Sequence, residues 1–178
     1  AVGSVAVQIA KLSRARVIGI AGGPEKCAYL KDSLGLDGVI DYKNESVKKG
    51  LKRECPDGID LYFDNVGGET LEAVLSQINY PGRIVVCGAI SQYGDIGNAQ
   101  GPRNFMSVIT QSVRIQGFTM KDYYDRIPEA FTYLLQAKIK GDMKFREHVV
   151  EGIENFEEAL AMIFRGDNHG KLLLKVNK

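Results

Sequence analysis

The sequence predicts an α/β fold, a doubly wound parallel sheet with helices on both faces, and three observations predict it. Short β-rich segments alternate with helical segments along most of the chain. Glycine turns stand where strands hand over to helices, at Gly22-Gly23, Gly67-Gly68 and Gly88. Several helical segments carry one apolar stripe, the pattern of an element laid on a sheet. The 178 residues are enough for one packed domain, or for one domain with an appendage.

The elements follow in order. Ala1-Val2-Gly3-Ser4-Val5-Ala6 is a glycine turn that opens an amphipathic helix, with Val5, Ile9 and Leu12 on one face and Gln8 and Lys11 off it. Residues 16–21 form a strand that ends in Ala21-Gly22-Gly23. Pro24 suits the first position of a helix over 24–33, and Glu25 suits its first turn. Residues 38–41 are a short strand, and Ser46 is placed to cap a polar helix over 46–54. A strand at 59–64 leads through Gly67-Gly68 into a helix to residue 77, with Leu71, Val74, Leu75 and Ile78 on its buried stripe.

Pro81-Gly82 makes a turn before a strand at 83–87, and residues 88–103 are a long loop rich in Gly, Asn and Gln. A helix near 105–111 precedes a strand at 113–118. Residues 123–138 are the clearest helix, with Ile127, Ala130, Phe131, Leu134 and Leu135 on one face. The alternation then changes to a strand at 145–150, a helix at 155–164 and a last strand at 171–176. The change sets residues 143–178 apart from 1–142, a division that the resemblance named below reads as a nucleotide-binding domain and a segment returning to another domain. No internal repeat or low-complexity tract is present.

Bulk properties exclude several classes. The net charge is +1, with acids and bases interleaved, and apolar residues make up 44%. A nucleic-acid or membrane-surface binder would show a basic face instead. No apolar run approaches the ~20 residues that span a bilayer. Cys27, Cys55 and Cys87 lie far apart and form no CxxC pair, and His148 and His169 have no metal-ligand spacing with them. They read as small buried hydrophobes in a reduced, cytoplasmic protein without a metal site.

Glycine turn, helix, strand, glycine turn is the second half of a dinucleotide-binding βαβ unit, the Rossmann arrangement with strand order 3-2-1-4-5-6. The strand that should precede Gly3 is not in the sequence. The chain is therefore expected to be a fragment, with strands 2 and 4 left without their shared neighbour. Gly3 fits the glycine that lets backbone approach a pyrophosphate, and Ala6 the small residue for close packing. Ser4 and Val5 would offer helix N–H groups to phosphate. The plain alternative is a glycine-rich helix start with no ligand.

An NAD-selective site places Asp or Glu about 20 residues further on, against the ribose 2′-hydroxyl. None stands there. Gly22 and Gly23 lead instead to Lys26, on the first turn of a helix, where it suits a 2′-phosphate. Lys43, beside Tyr42, adds to it. The alternative is an ordinary exposed lysine. Asn65 ends strand 4 at the edge where open α/β sheets bind ligands, and Cys87, Gly88, Ala89 and Ile90 end strand 5 in the same way. The phenol of Tyr93 is placed to donate a hydrogen bond to a substrate carbonyl oxygen, unless it is only a packed loop tyrosine.

These stretches resemble the nucleotide-binding domain of zinc-independent medium-chain dehydrogenases/reductases, in particular the prostaglandin reductase/leukotriene hydroxydehydrogenase group with its bacterial enone and curcumin reductases. The carriers are residues 1–12, Ala21-Gly22-Gly23-Pro24-Glu25-Lys26, Tyr62-Phe63-Asp64-Asn65-Val66-Gly67-Gly68, Cys87-Gly88-Ala89-Ile90-Ser91-Gln92-Tyr93 and Asn168-His169-Gly170-Lys171. The resemblance implies NADPH as cofactor and hydride delivery to the β-carbon of an α,β-unsaturated ketone or aldehyde. It assigns Lys26 to the 2′-phosphate and places Tyr42, Asn65, Asn168 and Gly170 at the cofactor. It sets Cys87 to Ser91 at the nicotinamide end and makes Tyr93 the catalytic tyrosine. His169 departs from the apolar residue expected at its position. The resemblance also implies a missing catalytic domain that receives the strand at 171–176, no zinc, and a homodimer through the edge strand 113–118. A quinone reductase and a non-catalytic NADP-binding module are the competing readings.

Overall fold

A computed structural model describes residues 1–176 of the chain. The β-rich segments form parallel pairs, each joined by a crossover. Strand β1 (Ile18–Ala21) pairs with β2 (Gly38–Asp41) in register from Ile18 opposite Gly38 to Ala21 opposite Asp41. Between them lies α2 (Pro24–Ala28), extended by a wider turn over Tyr29–Ser33. Strand β3 (Ile59–Asp64) pairs with β4 (Ile78–Val86), and β4 with β5 (Arg114–Gly117). Helices α4 (Gly68–Leu75) and α5 (Ser107–Thr110) make those crossovers. Strands β6 (Glu147–Glu151) and β7 (Lys171–Lys175) form a separate pair around α7 (Phe156–Arg165).

This is the doubly wound order expected, divided between β1 and β3. Among the described residues no ladder joins those two strands. Both line one cavity of about 1040 Å³, with Ala6 and Ala10 of α1 (Val2–Leu12) also on its wall.

The core is shared by the two parts of the sheet. Ile40 of β2, Val74 and Leu75 of α4 and Ile84 of β4 are fully buried, together with Leu51 of α3 (Val47–Glu54) and Val113. Gly50 lets α3 lie flush on β2, because a Cβ there would stand 2.5 Å from Ile40 Cγ2. Apolar burial of this kind is worth roughly 25 cal/mol per Å² and holds the two parts together without a shared ladder.

The structure corrects several expectations. Gln8 is the buried residue of α1, while Ile9 and Leu12 are partly exposed. Its amide accepts Lys144 N–H at 2.7 Å through Oε1 and donates to Lys144 O at 2.9 Å through Nε2, so it satisfies a distant backbone segment. Ser46 is the N-cap of α3 but makes no side-chain cap bond. Pro81-Gly82 does not end a strand: residues 79–82 bulge within β4, and the register jumps from Ile59–Ile78 to Leu61–Arg83. The helix expected at 123–138 starts later, as α6 (Ile127–Lys140), after a 3-10 stretch over Met120–Arg126 capped by Thr119 and Asp122. Its apolar face, including Phe131 and Leu135, is exposed rather than buried.

Candidate functional site

Helix α1 begins at Val2, so Gly3 and Ser4 lie inside its first turn rather than in a preceding loop. The unpaired amides are therefore those up to Ser4, and the Val5 N–H falls within the i→i−4 ladder, which corrects its expected role. Ser4 Oγ donates to Ala1 O at 2.8 Å. Gly3 and Ser4 open onto the cavity between β1 and β3, and Lys26, Asn65, Asn168 and Gly170 line the same cavity. Six of the expected residues thus converge from four regions of the chain.

A second cluster sits at the ends of β1 and β2. Gly23 takes φ +92° at the entry to α2, a region open to glycine, and its N–H donates to Asp41 Oδ1 at 2.8 Å. Asp41 also accepts Lys43 N–H at 3.1 Å and Asn44 Nδ2 at 2.7 Å. One carboxylate therefore ties together the two turns that carry Lys26 and Lys43. The Gly23 amide is the main reason the Asp41 carboxyl is held below the usual carboxylate range. The Tyr42 ring packs on Gly22, where a Cβ would stand 2.7 Å from Cζ. Lys26 Nζ donates to Gly166 O at 2.5 Å. Partial burial, and then the neighbouring Lys43, push its ammonium below the normal lysine value.

A third cluster lies at the ends of β3 and β4. Asp64 is buried, and its Oδ1 accepts Val66 N–H at 2.8 Å, Gly67 N–H at 2.9 Å and the Tyr62 hydroxyl at 3.0 Å. This clamp sets the turn beside Asn65. Burial, reinforced by the Asp64 charge, pushes the Tyr62 phenol well up. The amides of the next strand end are used internally. Cys87 N–H donates to Asp64 O at 2.8 Å and Ile90 N–H to Asn65 O at 3.1 Å. Ala89 N–H donates to Tyr93 Oη at 3.3 Å. These amides are consequently not free donors for a ligand. Tyr93 is half exposed and accepts through its oxygen, so the hydroxyl proton remains available to donate.

Two residues that the sequence reading passed over or left without a role, Arg146 and His169, border the site beside the expected Asn168 and Gly170. Arg146 donates to Glu25 Oε1 at 2.8 Å and lies 5.3 Å over the Tyr29 ring. His169 Nδ1 stands 3.3 Å from the same Glu25 oxygen, within ion-pair range but out of hydrogen-bond alignment. Together they bind the β6–β7 unit to α2. Gly170, at φ +88°, lets the backbone pass Arg146, since a Cβ would meet Arg146 O at 2.0 Å. Asn168 Nδ2 donates to Gly170 O at 2.9 Å. Only the unexpected histidine gave a signal in the sequence.

The chain is similar to known proteins. The family described as zinc-binding dehydrogenase matches residues 1–136. The chain belongs to that family. A putative NADP-dependent oxidoreductase of Bacillus subtilis, YfmJ, is 44% identical to this chain over 99% of it and 53% of the relative. A tobacco NADP(+)-dependent 2-alkenal reductase is 40% identical over 100% of the chain and 52% of the relative. The crystal structure of CurA in complex with NADPH from Vibrio vulnificus matches with a TM-score of 0.93 at 40% identity, covering 100% of the chain and 54% of CurA. The chain spans about half the length of these relatives.

Proposed function

We propose that this chain is the nucleotide-binding part of an NADPH-dependent reductase of the carbon–carbon double bond in α,β-unsaturated ketones and aldehydes. One observation carries the reading. Two lysines, Lys26 and Lys43, converge past the end of β1, where an NAD-selective protein of this fold places an acid and this chain carries Ala21-Gly22-Gly23. The α1 N-terminus, Asn65, Asn168 and Gly170 around one cavity fit the rest of a dinucleotide. CurA, bound to NADPH, and the tobacco alkenal reductase support the same cofactor and the same bond.

When bound, the cofactor supplies the hydride. The residues of this chain bind, orient and stabilise. Lys26 and Lys43 hold the 2′-phosphate, and the amides up to Ser4 face the pyrophosphate. The Asp64 clamp fixes the turn that presents Asn65. Cys87 to Ile90 form the wall at the nicotinamide end through shape, their amides being committed elsewhere. Tyr93 donates its hydroxyl proton in a hydrogen bond to the substrate carbonyl oxygen as negative charge develops there.

The proposal extends to organisation. Residues 1–142 form the nucleotide-binding domain and 143–178 return to a catalytic domain, a division supported by the separate β6–β7 sheet. The whole protein is zinc-independent, cytoplasmic and a homodimer through 113–118. The exposed edge strand β5 supports that pairing.

Fluorescence titration with NADPH and NADH tests the cofactor. Lys26→Ala is expected to weaken NADPH binding by about tenfold or more and to leave NADH nearly unchanged. An equal loss for both removes the 2′-phosphate assignment. Tyr93→Phe in the protein with its catalytic domain is expected to lower enone turnover by roughly 100-fold at unchanged NADPH affinity. Unchanged turnover removes the role given to Tyr93.

A further inference from the structure

The C-terminal end of α7 closes on the two lysines from outside. Gly166 takes φ +67° and ψ 36° at the helix end and turns the chain sharply. Its carbonyl oxygen is the acceptor of Lys26 Nζ. The next residue, Asp167, stands with Oδ1 4.0 Å from Lys43 Nζ, while Oδ2 accepts Arg165 Nε at 2.8 Å. The Arg165 hydrogen bond comes first, and Lys43 and Lys26 add to it, in holding the Asp167 carboxyl below the usual range. Of the other nearby acids, Glu25 is committed to Arg146, and Asp41 to the Gly23 and Lys43 amides and to Asn44. Asp167 is thus the carboxylate that the pair Lys26 and Lys43 already faces.

We propose that Asp167 is a specificity-determining residue: an internal anion that competes with a 2′-phosphate for Lys26 and Lys43. The inference rests on the NADPH reading above and deepens it. An incoming phosphate must draw Lys26 away from Gly166 O and Lys43 away from Asp167. Preference for the phosphorylated cofactor is then set lower than two unopposed lysines would give. A ribose 2′-hydroxyl donates a hydrogen bond and meets in Asp167 an acceptor rather than a repelling charge. The residue therefore opposes the phosphorylated cofactor without opposing the other.

Fragments that differ only at that position test it. Binding of 2′,5′-adenosine diphosphate and of adenosine 5′-monophosphate is measured by calorimetry for the wild type, Asp167→Asn and Asp167→Glu. Asp167→Asn is expected to bind the diphosphate about three- to tenfold more tightly, with the monophosphate unchanged within about twofold. That gain is expected to shrink at high salt. Asp167→Glu, which keeps the charge, is expected to behave as the wild type. An unchanged or weaker diphosphate affinity in Asp167→Asn, with the monophosphate still bound, overturns the proposal while the NADPH reading stands. A parallel loss for both ligands reduces Asp167 to support of the turn and overturns it as well. A wild type that does not distinguish the two fragments removes the NADPH reading and this proposal together.

Discussion

Asp41 does at the scale of one residue what the site needs from the fold. It holds the β1 and β2 turns together with a single carboxylate, and the charge matters because three donors point at it. Its folded pKa is depressed. The stability it contributes is therefore present above its unfolded value, about 3.9, and is lost as pH falls through the folded value. Asp41→Asn keeps the shape and removes the charge. The melting temperature of Asp41→Asn is expected below that of the wild type near neutral pH, by an amount that narrows at about pH 3. A constant gap across that window shows that the charge is not used. Lys26 and Tyr42 were open to sequence reading because each lies shortly past a strand end, and Asp41 because it closes β2. Asp41 was nevertheless missed, since reading it as the last strand residue hid its side-chain role. Gln8 and Asp167 were illegible for another reason: Gln8 meets Lys144, 136 residues away, and Asp167 meets Lys43 only once α7 has packed.

Among the elements, the strands were legible to within two residues, β4 excepted, and the helices less so. A parallel strand reads as a short, largely apolar run set off by turn residues, as at Gly38–Asp41 and Ile59–Asp64. The bulge at residues 79–82 looked like a turn because Pro and Gly carry the same local signal in both, and the pairing of Ile78 with Ile59 is a tertiary fact. The start of α6 slipped because residues 120–126 wind as 3-10 helix with a break at Tyr123, where φ is −134°. Helical periodicity told correctly that α6 has an apolar face but not what faces it. Ala137 alone is buried on that helix, and Phe131 remains 65% exposed.

At the scale of the whole molecule, the two parts of the larger sheet share a core but, among the described residues, no ladder. Strands β1 and β3 each present a row of backbone donors and acceptors toward one apolar cavity. Unpaired strand edges exchange their amide protons readily, whereas those of a strand paired on both sides do not. The chain of 178 residues is therefore expected to show fast hydrogen exchange along β1 and β3 and slow exchange along β4, which has partners on both sides. Extending it before Ala1 by a segment of β-forming residues is expected to protect the β1 and β3 amides together. Both edges close on one inserted strand, so protection of one without the other is not expected. The same insertion feeds α1 directly, and it is expected to tighten dinucleotide binding by fixing the amides up to Ser4. If β1 and β3 are already as protected as β4 in the chain by itself, the sheet is not divided in solution and the cavity is not a strand's place.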